Sequence, residues 1–176
     1  MLKVRFPQDL KKYENYDLGY SDWFLIDQEL INAFAKLSGD DQWIHVDIDR
    51  AFSEMPAGKT IAHGLLSLCI SPSLGKNKIH IENLKHTLNY GIDKVRFISP
   101  VKVGSFIRLK SKILKVITRD DNSVLVRVER LMEIKGIRKL AMYAETLSLM
   151  YSGDSVNWKG FQQSLQEIFA NLHYLN

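Results

Sequence analysis

Cysteine is almost missing from this sequence: Cys69 stands alone among 176 residues. No internal disulfide can form, and a reducing compartment is expected. Proline is scarce too, four in all, so few positions interrupt regular structure. No apolar run is long enough to cross a bilayer, which argues against a membrane protein. The first residues, "MLKVRFPQDLKKYENY", lack the apolar stretch of a secretory signal, so a cytoplasmic location is expected. Charge of one sign is also lacking. Twenty-four basic and 20 acidic residues leave a net charge of +4, and no basic run is interleaved with stacking aromatics. Nucleic-acid binding is therefore not expected, while an anionic small molecule suits the mild excess.

What is present is a core. Forty-five per cent of the residues are hydrophobic, enough for one globular domain of this length. Residues 28–37 read as a helix, with Leu30, Ile31, Phe34 and Ala35 on one face, Asp27 as its N-cap and Gly39 as its end. A second helix is expected from Ala62 to Leu74, with Pro72 near its end. It is apolar on nearly every side, and such a helix is normally buried on most of them. Beyond it the period changes to two. "FIRLKSKILKV", "SVLVRVERLMEI" and "KLAMYAETLSLMY" read as long antiparallel strands with one buried face, and "DKVRF" as an earlier one. "RDDNS", residues 119–123, is a turn between two of them. Residues from Trp158 to Leu172 carry apolar positions at helical spacing and predict an amphipathic helix. Residues 1–20 give little local signal. The sum is an α+β layer arrangement, one apolar helix against one antiparallel sheet.

Two short stretches carry chemistry. "SGDDQWIHVD" places Asp40 just past a helix end and His45 five residues later, in what reads as a loop that can curl both side chains together. A carboxylate and an imidazole are suited to moving protons near neutral pH. The same pair also fits ordinary turn chemistry, and Asp41 and Asp47 read as loop-capping or solvated acids. No metal site is expected, because zinc normally takes three or four protein ligands and no further Cys/His cluster has suitable spacing. In "TIAHGLLSLCISPSL", His63 and Gly64 stand where the apolar helix begins. The first-turn amides of a helix lack internal partners and carry the positive end of its dipole. Glycine lets a ligand approach that backbone closely.

Together, "FAKLSGDDQWIHVDIDRA" and "GKTIAHGLLSLCISPSL" resemble the MaoC-like (R)-specific enoyl-CoA hydratases, and most closely their NodN-like branch. "NYGIDKVRFISPVKVGSFIRLKSKIL" resembles that branch's strand following the central helix. The resemblance covers roughly residues 22–151, leaving 1–21 as an N-terminal extension and 152–176 as a C-terminal one. It implies a hot-dog fold, a homodimer, and addition of water to a trans-2-enoyl thioester of coenzyme A. It implies no cofactor beyond the coenzyme A of the substrate. Carried onto this chain, Asp40 and His45 hold and activate the water, and the Gly64 amide polarises the thioester carbonyl. Trp43, His63, Ser71 and Asn89 are expected on the substrate side, with Trp43 at the entry. Lys94 and Arg96, with Lys102 and Arg108, are candidates for the coenzyme A phosphates. Two departures stand out. Gln42-Trp43 replaces the Asn-Pro of better-known hydratases, and Pro72 stands where they carry a helix serine, with Ser71 beside it. A hot-dog acyl-CoA thioesterase and a non-catalytic acyl-CoA or acyl-carrier-protein binding module are the alternatives. The first normally needs a carboxylate near the central helix, where "AHGLLSLCISPSLG" has none.

Overall fold

The computed structural model describes residues 1–119 and 121–153. The helix expected from Trp158 lies outside these residues. So does all but the beginning of the expected C-terminal extension.

Asp27 caps α1 (Gln28–Ser38) by accepting from the Leu30 N–H at 2.9 Å. Gly39 closes it in the left-handed region at φ 75°, its N–H on the Ala35 carbonyl at 2.9 Å. Within the stretch expected to be a loop, residues 39–42 are non-helical and the rest forms a single helical turn, α2 (Trp43–Val46), with α3 (Ile48–Glu54) following directly. Asp47 ends the first and caps the second by accepting from the Arg50 N–H at 2.9 Å, which is the capping role expected of it. The apolar helix α4 runs Gly64–Leu74, with Ala62 and His63 outside it and His63 as N-cap.

The short strands β1 (Leu2–Val4) and β4 (Ile79–Ile81) pair in parallel. The main sheet is antiparallel and contains β2 (Asp17–Tyr20), β3 (Phe24–Ile26), β5 (Leu84–Phe97), β6 (Ser105–Thr118), β7 (Val124–Ile134) and β8 (Met142–Ser152). Its order is β2-β6-β7-β8-β5, with β3 also on β6. Asn122, at φ 61°, makes the tight turn between β6 and β7. On β7 the period-two pattern sends Val124, Val126, Val128 and Met132 into the core and leaves Arg127 and Glu129 outside.

The concave face is covered in two halves. Helix α4 and α1 cover one end, over Ile107, Leu109, Met132, Met142 and Ala144. The N-terminal segment covers the other, where Val4 and the fully buried Leu10 pack on Ile113, Val116, Val124 and Val126. Leu10 belongs to a 3-10 helix at Pro7–Tyr13. The strands are therefore longer than α4 can cover alone. This sheet wrapped on a central helix is a hot-dog, α+β fold. Helix α4 is less buried than its composition suggests. Leu66, Ser67, Leu68 and Ser71 face the sheet, while Leu65 is 57% exposed and Cys69 is exposed as well.

Candidate active site

The segment from Asp40 to Gly64 is tied down by buried polar bonds. Gln28, in the first turn of α1, donates from Nε2 to the His45 carbonyl at 2.8 Å. Its Oε1 accepts from the Thr60 hydroxyl at 2.5 Å, and Thr60 is buried. The His45 ring is buried, with Nδ1 2.7 Å from the Ile61 carbonyl oxygen. A carbonyl only accepts, so Nδ1 carries the proton. In the neutral imidazole the lone pair is then on Nε2.

His63 is fixed by the same logic. Its Nε2 lies 2.8 Å from the Asp40 carbonyl oxygen and must donate to it, while the buried Nδ1 has no partner among the described residues. The two rings stack, centroids 3.7 Å apart and planes 25° apart, and the Phe34 ring lies tilted against His63 at 5.0 Å. His63 thus holds the Asp40 backbone and one face of the His45 ring together. Asp40, His45 and His63 each offer one ligand-type atom, all within 4.8 Å of one another. The third group was not visible as a cluster in the sequence. Imidazole lone pairs lie in the ring planes, and stacked planes this nearly parallel do not converge within a metal–nitrogen bond of about 2.0–2.1 Å. The arrangement suits a shared water better than a shared ion.

His45 and Gly64 open onto one cavity of about 270 Å³, walled also by Ile61, Ser67, Phe97 and Val101. Gly64 begins α4, so its N–H has no intrahelical partner. A Cβ at this position would lie 2.7 Å from the Phe97 ring, so only glycine fits beneath it. Polar donors at one end of a largely apolar chamber can bind an oxygen that gains charge.

Asp40 and His63 stand beside His45 but do not themselves line this cavity, and the other sequence candidates fall elsewhere. Trp43 is partly buried under the Arg50 guanidinium, 4.3 Å from the ring centroid, and does not line this cavity. Ser71 and Asn89 line a second cavity further along α4. Lys94 pairs with Glu145 at 2.8 Å on the outer face of the sheet, and Arg96 bonds the Val95 carbonyl at 2.7 Å. Arg108 pairs with Glu133 at 2.7 Å and stacks on Tyr20 and Trp23. None of these cations, nor Lys102, lines either cavity. Sequence reasoning passed over Gln28, Thr60, Ser67 and Phe97. Ser67 was findable, because it lies three residues after Gly64 and so on the same helix face. Nothing local marks the others.

Known proteins resemble this chain in sequence and in fold. The 3-hydroxyacyl-thioester dehydratase Z of Mycobacterium tuberculosis is 40% identical over 139 residues, covering 79% of this chain and 91% of the relative. Nodulation protein N of Rhizobium leguminosarum bv. viciae is 36% identical over 137 residues, 76% of this chain and 84% of the relative. The solved R-hydratase of Pseudomonas aeruginosa superposes with a TM-score of 0.61 at 20% identity, over 81% of this chain and 88% of that one, which speaks to the fold. The MaoC-like domain model matches residues 11–133, from the N-terminal 3-10 helix to the end of β7. The chain belongs to the MaoC-like dehydratase family.

Proposed function

We propose that this protein adds water across the double bond of trans-2-enoyl thioesters of coenzyme A, giving (R)-3-hydroxyacyl thioesters, and catalyses the reverse dehydration. The family supports hydro-lyase chemistry in general. The observation that carries the finer reading is the fixed His45 tautomer. With Nδ1 bonded to Ile61, Nε2 is left to meet a water, and one ring nitrogen of His45 lies within 4.8 Å of an Asp40 carboxylate oxygen, a gap that two hydrogen bonds of about 2.8 Å through one water can span.

The chemistry then balances within the site. Water oxygen bonds to C3 while a water proton passes to the dyad. The C2–C3 π pair moves toward the thioester, and the carbonyl oxygen becomes an enolate held by the Gly64 amide. The same proton returns to C2, the carbonyl re-forms, and the dyad ends as it began. No further cofactor enters this scheme.

The reading extends to a homodimer in a cytoplasmic setting. Strand β5 is an edge of the main sheet, fourteen residues long, with Tyr90, Ile92 and Phe97 exposed. It runs beside the open stripe of α4 carrying Leu65 and Cys69. A second copy would cover both, and unpaired edges are generally covered. Among the described residues no helix is long and apolar enough to cross a membrane. Mixing the protein with crotonyl-CoA tests the reaction. Loss of the conjugated enone absorbance with the thioester intact is expected. Release of free thiol would make it a thioesterase, and binding without either change would make it a carrier module.

A further inference from the structure

The second cavity, about 280 Å³, lies one to two helical turns beyond the first, again between α4 and the β5–β8 edge. Its walls include Leu68 and Ile92, but also Ser71, Asn89, Ser148 and Arg130. Arg130 sits on the core-facing side of β7, opposite Ala144. It donates from Nη1 to the Ser111 hydroxyl at 2.8 Å and more weakly from Nε to the Thr146 hydroxyl at 3.4 Å. No carboxylate pairs with it among the described residues, whereas Arg108 and Arg127 on the outer face are both paired. Desolvation lowers its pKa to about 10, so it remains charged at neutral pH.

Glycine makes room for this cation. A Cβ at Gly75 would lie 2.6 Å from Arg130 Nη1, which places the guanidinium under the C-terminal end of α4. The helix dipole offers about half a negative charge there, which does not neutralise a whole one. A methyl-ended chain in this cavity would keep the cation out of water and leave it uncompensated. A carboxylate would pair with it, with the Ser71, Asn89 and Ser148 side chains at hand for hydrogen bonds.

We infer that the Arg130 cavity receives the far end of the acyl chain and selects substrates whose chain terminates in a carboxylate. The inference rests on the proposed hydratase reaction, with the thioester carbonyl at Gly64. Ser71 lies seven steps along α4 from Gly64. At about 1.5 Å of rise each, they set the two ends about 10 Å apart, roughly the reach of an eight-carbon chain.

The test compares two pairs of thioesters on the full chain. The first pair is trans-2-octenoyl-CoA and its ω-carboxyl counterpart, read as the ratio of their kcat/KM values. That ratio is internal to each protein, so a loss of folded enzyme cancels. The second pair is octanoyl-CoA and the mono-CoA thioester of octanedioic acid, read as binding by calorimetry without chemistry. The wild type should favour the carboxyl-ended member of each pair at least about ten-fold, and Arg130→Met should bring both ratios to unity or below. Asn89→Leu, on an edge strand and milder for folding, should lower them in the same direction. Equal ratios in wild type and Arg130→Met would make Arg130 a structural cap of α4 and overturn the inference. A wild type preferring methyl-ended chains would do the same. If the protein binds the carboxyl-ended thioester preferentially through Arg130 but hydrates no enoyl thioester, the hydratase reading falls and the anion site stands. If it hydrates crotonyl-CoA but shows neither preference, the reverse holds.

Discussion

At the scale of single residues, the site depends on main-chain groups as much as on side chains. The Ile61 carbonyl fixes the His45 tautomer, the Asp40 carbonyl fixes His63, and Gly64, whose N–H has no intrahelical partner, lines the cavity. Gly64→Ala therefore tests geometry rather than charge. The added methyl would press on the Phe97 ring at 2.7 Å and push the amide or the ring aside. Turnover should fall by about 10²–10³-fold, the cost of losing one oxyanion donor. Adding Phe97→Ala should restore part of it by making room. An unrestored double mutant with normal folding would place the fault elsewhere than in crowding. Asp40, His45 and Gly64 were singled out by a family resemblance, since their spacing taken alone also fits ordinary turn and helix-end chemistry. The support beneath them was not. Gln28 reaches His45 across 17 positions and Thr60 across 32, and no local pattern records such pairings.

At the scale of elements, strands and helices with a strong period were readable, and short or tertiary-dependent ones were not. Helix α1 matched its caps, and β6 and β7 followed their alternation, while β8 formed as a strand with its burial pattern broken at Ala144 and Glu145. Helix α2 has four residues, too few to show a period, and the N-terminal segment is held by burial of Leu10 and Val4 rather than by propensity. The outer face of the sheet holds a different kind of support. Glu145 on β8, nearly buried, accepts from Lys94 of β5 at 2.8 Å and from Tyr143 at 2.7 Å, and pairs with Arg127 of β7 at 3.4 Å. The Lys94 ammonium first, then the Tyr143 hydroxyl, holds its carboxyl below the ordinary value of 4.5. A depressed folded pKa contributes stability above the unfolded value, lost as pH falls through the folded one. Glu145→Gln should melt earlier than wild type at pH 7, and the gap should close as pH falls below 4.5. A gap that is constant from pH 7 to strong acid would mean that the carboxylate charge is not what stabilises this junction.

At the scale of the whole molecule, several open features of the described residues lie together. They are the β5 edge, the exposed Leu65 of α4 and both cavities. The sequence announced α4 as buried on most sides, and the single chain buries only the side facing the sheet. Composition records how much burial a helix needs but not which molecule supplies it. Light scattering at micromolar concentration should give twice the chain mass. Ile92→Arg, on the open edge, should shift the protein toward monomer and lower turnover together. A wild-type monomer with full activity would contradict the dimer.

The central claim is that Asp40 and His45 hold the water that adds to C3. Its most direct measurement is the rate of crotonyl-CoA hydration by wild type, Asp40→Asn, His45→Gln and the double mutant, with melting curves alongside. Each single substitution keeps approximate size and removes proton transfer, so each should lose about 10²–10⁴-fold in turnover while the protein still folds. The double mutant should lose little more, because both residues serve one transition state. Wild-type rates in either single mutant, from a protein whose wild type is active, would contradict the account.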